Sequence, residues 1–203
     1  PAYVFDPDEM KEFAEKVKRC LTGKAEICYA MKANPFLIKP MLEIVSSLEV
    51  CSPGEFRICE RAGIPMEKIV LSGVYKNPDD IAYMLDTYGN RGTYTVESLQ
   101  HLEVLNDTAV RHGITLSVLI RVTSGNQFGI DEAEIRKIIS EREKYAGIEI
   151  EGIQFYSGTQ KRNLSQMQEE LKHLDTFIRE LEEIGGMEIR TLEYGPGFFV
   201  PYF

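Results

Sequence analysis

The sequence predicts an α/β protein built as a (β/α)8 TIM-like barrel, incomplete, with about seven βα units in its 203 residues. Three observations predict this. Short β-branched or aromatic runs alternate with longer amphipathic stretches. Turn residues stand at the junctions, and no linker, low-complexity tract or short repeat interrupts the alternation. A closed eight-stranded barrel usually takes about 250 residues, so residues 1–203 are expected to form one domain that is one strand short. The closing Val200-Pro201-Tyr202-Phe203 reads as the start of another segment.

The strands are placed at Ile27–Met31, Leu48–Cys51, Ile69–Leu71, Thr93–Val96, Leu116–Val122, Ile148–Tyr156 and Thr191–Tyr194. Within each unit the strand is expected first and the helix after it. The clearest helix runs from Leu164 to Ile184, where Leu164, Met167, Leu171, Leu174, Phe177, Ile178, Leu181 and Ile184 recur at threes and fours and read as core. Asn34-Pro35, Ser52-Pro53-Gly54, Lys76-Asn77-Pro78, Gly129 and Gly185-Gly186 mark the connections. The run Glu141-Arg142-Glu143-Lys144 reads as the solvated face of a helix.

Composition narrows the function classes. Hydrophobic residues at 43% and charged residues at 27% suit a globular chain with a real core. A net charge of −9 repels phosphate backbones and anionic lipid, so neither nucleic acid nor a membrane is expected as a partner. No apolar run has the length to cross a bilayer, and Pro1 to Asp8 lack the basic start and apolar stretch of a signal peptide, which predicts a cytoplasmic protein. Cys20, Cys28, Cys51 and Cys59 form no Cys-x-x-Cys pair and read as buried free thiols. His101, His112 and His173 fall in helical stretches without metal-ligand spacing, so no metal is expected.

In barrels of this kind chemistry sits at the C-terminal ends of the strands. Lys32, in Cys28-Tyr29-Ala30-Met31-Lys32-Ala33-Asn34-Pro35, ends an otherwise apolar strand, where loss of hydration would favour the uncharged, imine-forming amine. The alternative is a lysine that reaches out to solvent. Arg121 and Gln127-Phe128-Gly129-Ile130 follow the fifth strand, Tyr156-Ser157-Gly158-Thr159-Gln160 the sixth, and Gly195-Pro196-Gly197 the seventh. Gly195 and Gly197 would let backbone amides approach a phosphate, helped by the Thr159 hydroxyl; alone, Gly-Pro-Gly is simply a tight turn.

In this order, these positions resemble the fold-type III pyridoxal-phosphate enzymes, the ornithine, diaminopimelate and arginine decarboxylase group that shares its barrel with alanine racemase. Tyr29-Ala30-Met31-Lys32-Ala33-Asn34 is similar to the family's Tyr-Ala-x-Lys-Ala-Asn, whose lysine carries the cofactor as a Schiff base. Pro1-Ala2-Tyr3-Val4-Phe5-Asp6 is similar to the family's approach to the barrel, and Ser52-Pro53-Gly54-Glu55 to its Ser-Gly-Gly-Glu, which makes Glu55 a secondary candidate. Gly195-Pro196-Gly197 stands where the family has a Gly-Gly-Gly phosphate loop, and Gly158-Thr159 where it has Gly-Ser. Two departures are Tyr156 in place of a ring-stacking histidine and Pro196, which removes one amide donor. The stretch between Arg121 and Phe128 is also shorter than in the diaminopimelate branch.

The resemblance implies decarboxylation of an amino acid, basic or diamino, by pyridoxal 5'-phosphate held on Lys32. Tyr156 would support the cofactor ring, Thr159, Gly195 and Gly197 its phosphate, and Arg121 and Glu55 the surroundings; Arg121 equally reads as a structural ion-pair partner for Glu55. The family also uses an acid from the last barrel strand and a C-terminal β-domain that meets its partner in a homodimer, neither of which lies in these 203 residues. The rival readings are an amino-acid racemase on the same barrel and a non-catalytic cofactor-binding or regulatory homologue.

Overall fold

The computed structural model describes residues 4–21 and 23–201, so the Pro1-Ala2-Tyr3 part of the N-terminal motif and the final Tyr202-Phe203 lie outside the described residues. The chain divides into two compact units, Pro1–Tyr75 and Lys76–Phe203. Among the described residues seven strands with intervening helices put it in the α/β class, in the element order expected of an incomplete (β/α)8 chain, with parallel pairing within each unit.

The first unit opens with a helix, α1 (Pro7–Leu21), ahead of any strand. This corrects the strand-first expectation, and the local chemistry explains it. The Asp6 carboxylate accepts from the amides of Asp8 (2.9 Å) and Glu9 (3.2 Å), and Pro7 begins the helix where its missing N–H costs nothing. Lys18 and Arg19 stand in the last turn, where cations suit the helix dipole. Strands β1 (Cys28–Ala30), β2 (Ser47–Val50) and β3 (Ile69–Leu71) follow, parallel and in chain order, with Cys28 opposite Ser47 and Leu48 opposite Ile69. A short helix α2 (Ile38–Met41) joins the first two, and α3 (Pro53–Ala62) the second pair. Gly63 closes α3 at φ +72°, the left-handed turn that only glycine adopts without strain. Met31, Leu48, Val50, Phe56 and Cys59 are buried.

The second unit carries α4 (Pro78–Tyr88), β4 (Thr93–Val96), α5 (Leu99–His112), β5 (Leu116–Val122), α6 (Glu132–Ser140), β6 (Ile148–Tyr156), α7 (Leu164–Gly185) and β7 (Thr191–Gly195). Its strands are also parallel and in chain order: Tyr94 faces Val118, Val118 faces Ile150, and Gly152 faces Thr191. Each helix begins at a side-chain cap, Asn77, Ser98, Asp131 and Asn163, whose oxygen accepts from an early amide. Leu102, Leu105, Leu116, Ile120, Ile135, Ile139, Leu174 and Leu181 form a fully buried interior of helix faces and alternate strand residues.

Three further expectations need correction. On α7 Met167, Leu174, Phe177 and Leu181 are core, but Leu164 (66% exposed), Leu171 (41%) and Ile184 (39%) are not; they sit on the flank of a stripe narrower than the sequence implied. Of the four thiols only Cys59 is buried: Cys28 and Cys51 are half-buried, and Cys20 is exposed near the end of the charged α1. Arg142–Lys144 forms a 3-10 turn after α6, so the charge run is a solvated connection and not a helix face. Among the described residues no group of three or more His, Cys, Asp or Glu is placed to hold a metal, and no helix is long and apolar enough to cross a membrane.

Candidate active site

In the first unit, Lys32 lies in a 3-10 turn, Met31–Ala33, at the C-terminal end of β1. The residues around it build that turn. The Asn34 amide donates to the Met31 carbonyl (3.1 Å), the Tyr29 hydroxyl donates to the Asn34 carbonyl (3.0 Å), and the Asn34 side chain caps the next turn by accepting from the Phe36 amide (3.1 Å). Met31 is fully buried, with its sulfur 3.4 Å from that of Cys59, and anchors the turn from below. The Lys32 side chain is 58% exposed, with Nζ 3.9 Å from Glu49 Oε2. The desolvated amine read from the apolar strand is therefore not what this turn provides: the lysine is displayed, not buried.

Glu55 has a local task. Ser52 caps α3 by accepting from the Glu55 amide (3.2 Å), and Glu55 Oε2 reaches back to accept from the Cys51 amide (2.7 Å). This is the reciprocal logic of a capping box, applied one residue further back. The acid that meets Arg121 is a different one, Glu97, immediately after β4. Arg121 Nη1 lies 2.8 Å from Glu97 Oε2, with side chains 14% and 1% exposed, and the guanidinium stands 5.3 Å from the centre of the Phe128 ring. Arg121 is thus paired with an acid of its own unit.

The second unit brings the two glycine turns together. Pairing of β6 with β7 runs to Tyr156 opposite Gly195 and resumes with Lys161 opposite Phe198. Five steps of chain on one side therefore face three on the other, and the surplus bulges into a turn at Ser157–Gln160, with Gly158 at φ +128° and Gln160 at φ +59°. The turns touch: a Cβ on Gly197 would sit 1.9 Å from the Gly158 carbonyl oxygen and 3.3 Å from Thr159 Cα. A Cβ on Gly195 would sit 2.6 Å from Cδ2 of Tyr156, so that ring lies against the glycine. Among the described residues, the amides of Gly158, Thr159 and Gly197 donate to no backbone acceptor. Amides without a backbone acceptor, with a threonine hydroxyl beside them, are the donor set that an anion takes up.

Behind this double turn is a polar cluster that sequence reading missed. Glu170 of α7 accepts from Ser157 Oγ (2.6 Å), from the Tyr194 hydroxyl (2.6 Å) and from Lys161 Nζ at both oxygens (2.8 and 3.1 Å). Burial pushes the Glu170 carboxyl up, but hydrogen bonds from Lys161, Ser157 and Tyr194 outweigh it and hold the group below its ordinary value. Burial, then the hydrogen bond to Glu170, pushes the Tyr194 phenol up. The signal was present: Glu170 falls on the threes-and-fours stripe of Met167, Leu174, Phe177 and Leu181, where a charge demands a partner.

Lys32 and Glu55 therefore belong to the first unit, and Arg121, Tyr156, Thr159, Gly195 and Gly197 to the second, where Tyr156, Thr159 and the two glycines are neighbours. The first unit thus displays an amine at a strand end, and the second carries a glycine double turn at two strand ends. Residues 8–203 match the family described as pyridoxal-dependent decarboxylase, pyridoxal binding domain; the chain belongs to that family, and its cofactor is pyridoxal phosphate. It is 30% identical over 219 residues to the diaminopimelate decarboxylase of Aquifex aeolicus, covering all of this chain and 51% of that protein. Over 223 residues it is 27% identical to the diaminopimelate decarboxylase of Zymomonas mobilis, covering all of this chain and 52% of that protein. The crystal structure of diaminopimelate decarboxylase from Methanocaldococcus jannaschii superposes with a TM-score of 0.80 at 27% identity, over 96% of this chain and 49% of that one. The chain spans about half the length of the curated relatives it matches.

Proposed function

We propose that residues 1–203 are the cofactor-binding barrel domain of a pyridoxal-phosphate-dependent amino-acid decarboxylase acting on a basic or diamino acid, with Lys32 as the amine that carries the cofactor. The observation that bears most weight is Lys32 itself, at the end of β1 within Tyr29-Ala30-Met31-Lys32-Ala33-Asn34, in a chain matched to the family from residue 8 onward. Relatives named diaminopimelate decarboxylases support the reaction and the substrate class. When bound, pyridoxal phosphate supplies an electron sink for the pair left behind by departing carbon dioxide.

The chain's own residues bind and orient. The Gly158, Thr159 and Gly197 amides and the Thr159 hydroxyl take the phosphate, Gly195 lets the turn close on Tyr156, and the Tyr156 ring backs one face of the cofactor. Glu49, 3.9 Å from Lys32 Nζ, gives that amine an ion-pair partner on the neighbouring strand. The Glu97–Arg121 pair fixes the wall between β4 and β5, and Glu55 serves the α3 cap. The full-length protein is read as a cytoplasmic homodimer: four free cysteines suit a reducing compartment, and the dimer follows from the family resemblance.

The test is to reduce the full-length protein with borohydride and find the modified residue by mass spectrometry, then to assay carbon dioxide release from a panel of basic and diamino acids. Label on Lys32 and carbon dioxide from one panel member are expected. An unlabelled Lys32, with wild type and Lys32→Ala giving the same visible spectrum, overturns the reading; an inverted stereocentre without carbon dioxide replaces decarboxylation by racemisation.

A further inference from the structure

We propose that the buried Lys161–Glu170 pair is a positioning device for the phosphate turn: it locks the ends of β6 and β7 together so that the free amides of Gly158, Thr159 and Gly197 stay aimed at one point. The inference rests on the reading of that turn as the phosphate site.

Lys161 is tied to the turn twice. Its amide donates to the Gly197 carbonyl (2.9 Å) and its own carbonyl accepts from the Phe199 amide (3.1 Å), so its backbone is the point at which the two strands rejoin beyond the bulge. Its side chain then runs inward, 5% exposed, to Glu170, itself 14% exposed. Glu170 gathers both sides of the cup through one carboxylate. Oε1 accepts from Ser157, the residue immediately before Gly158; Oε2 accepts from Tyr194, the residue immediately before Gly195; Lys161 bridges the two oxygens. Lys161 Nζ also stands 5.7 Å from the centre of the Tyr194 ring, which stacks on Phe155 at 6.4 Å with planes 2° apart. Each oxygen is therefore satisfied, and two of the donors, Ser157 and Tyr194, stand next to a glycine of the double turn.

A buried ion pair adds little net stability compared with apolar residues of the same shape, whereas it demands one geometry. That balance suits orientation better than strength. Removing either charge alone strands the other in a poorly hydrated place; removing both leaves a neutral, packable cluster that no longer fixes the angle between the turns.

The experiment uses full-length protein stripped of cofactor and titrated separately with pyridoxal phosphate and with pyridoxal, which lacks the phosphate. Wild type, Lys161→Met and the double variant Lys161→Met with Glu170→Gln are compared, and urea unfolding of each by circular dichroism checks the fold. Both variants are expected to bind pyridoxal phosphate roughly tenfold more weakly or worse, the scale on which removing an orienting group acts. Pyridoxal affinity is expected to stay as in wild type, and the double variant to unfold near the wild-type midpoint. Unchanged preference for the phosphorylated form, or equal losses for both ligands, overturns the positioning role while leaving the cofactor reading intact. A wild-type protein that shows no preference for pyridoxal phosphate over pyridoxal brings down the phosphate site, and the inference with it.

Discussion

The closest approach in the second unit makes a quantitative prediction. In Gly197→Ala the new methyl would lie 1.9 Å from the Gly158 carbonyl oxygen, a distance no real Cβ contact reaches, and the backbone at φ +61° is one that L residues adopt only under strain. Two costs follow. The left-handed conformation costs about 1–2 kcal/mol, and forcing the turns apart in a packed place adds about 1–3 kcal/mol. Gly186→Ala is the matched comparison: Gly186 closes α7 at φ +57°, but its Cβ would meet nothing within 4 Å, so it isolates the backbone cost. The assay is urea unfolding followed by far-ultraviolet circular dichroism, since the chain has no tryptophan. Gly197→Ala is expected to lose about 1–3 kcal/mol more than Gly186→Ala. Equal losses in the two variants would refute the reasoning, because they would mean that the two turns are not in contact.

Stability should also fall in acid through Glu170. Its folded carboxyl lies below the ordinary value of 4.5, so its contribution is whole above that value and is lost as pH falls through the lower folded one; Glu170→Gln should flatten the acid limb of a stability-against-pH curve measured in urea. Thiol chemistry offers a separate check. Burial, then the charge of Glu55, pushes the Cys59 thiol up to about 11, so Cys59 should react with a thiol reagent only after denaturant is added, while exposed Cys20 reacts at once; labelling followed by peptide mapping reads the order.

The legible parts of the fold were those in which a short apolar run is bounded by turn residues. Ile69–Leu71, Thr93–Val96, Leu116–Val122 and Ile148–Tyr156 were bounded correctly because a parallel strand buried on both faces reads as a near-continuous β-branched run. The α1 helix was missed although Met10, Phe13, Ala14 and Val17 stand at helical spacing, because eight of its fifteen residues are charged and only Ala14 is buried. At the site, Lys32 and the two glycine turns could be found from strand ends alone. Their supporting partners could not: Glu49 lies on the neighbouring strand, Glu97 pairs across 24 residues with Arg121, and Tyr194 reaches Glu170 across the same separation. Such pairs are set by tertiary register, which no local period encodes. Two weak signals existed all the same, a charge on the buried stripe of α7 and an acid directly after β4.

Pro196 stands where the pairing of β6 with β7 stops. Read as a departure from a glycine loop, it is a lost donor with a fixed φ. Pairing reaches Tyr156 and Gly195, where β7 ends, and the next backbone contact is made by Gly197, whose carbonyl takes the Lys161 amide. Between those contacts the β6 side carries the longer stretch of chain, and among the described residues the amides of Gly158 and Thr159 donate to no backbone acceptor. On the proposed reading of this double turn as the phosphate site, its support would come from the side-chain cluster of Ser157, Lys161, Glu170 and Tyr194, which ties the two strand ends together behind it.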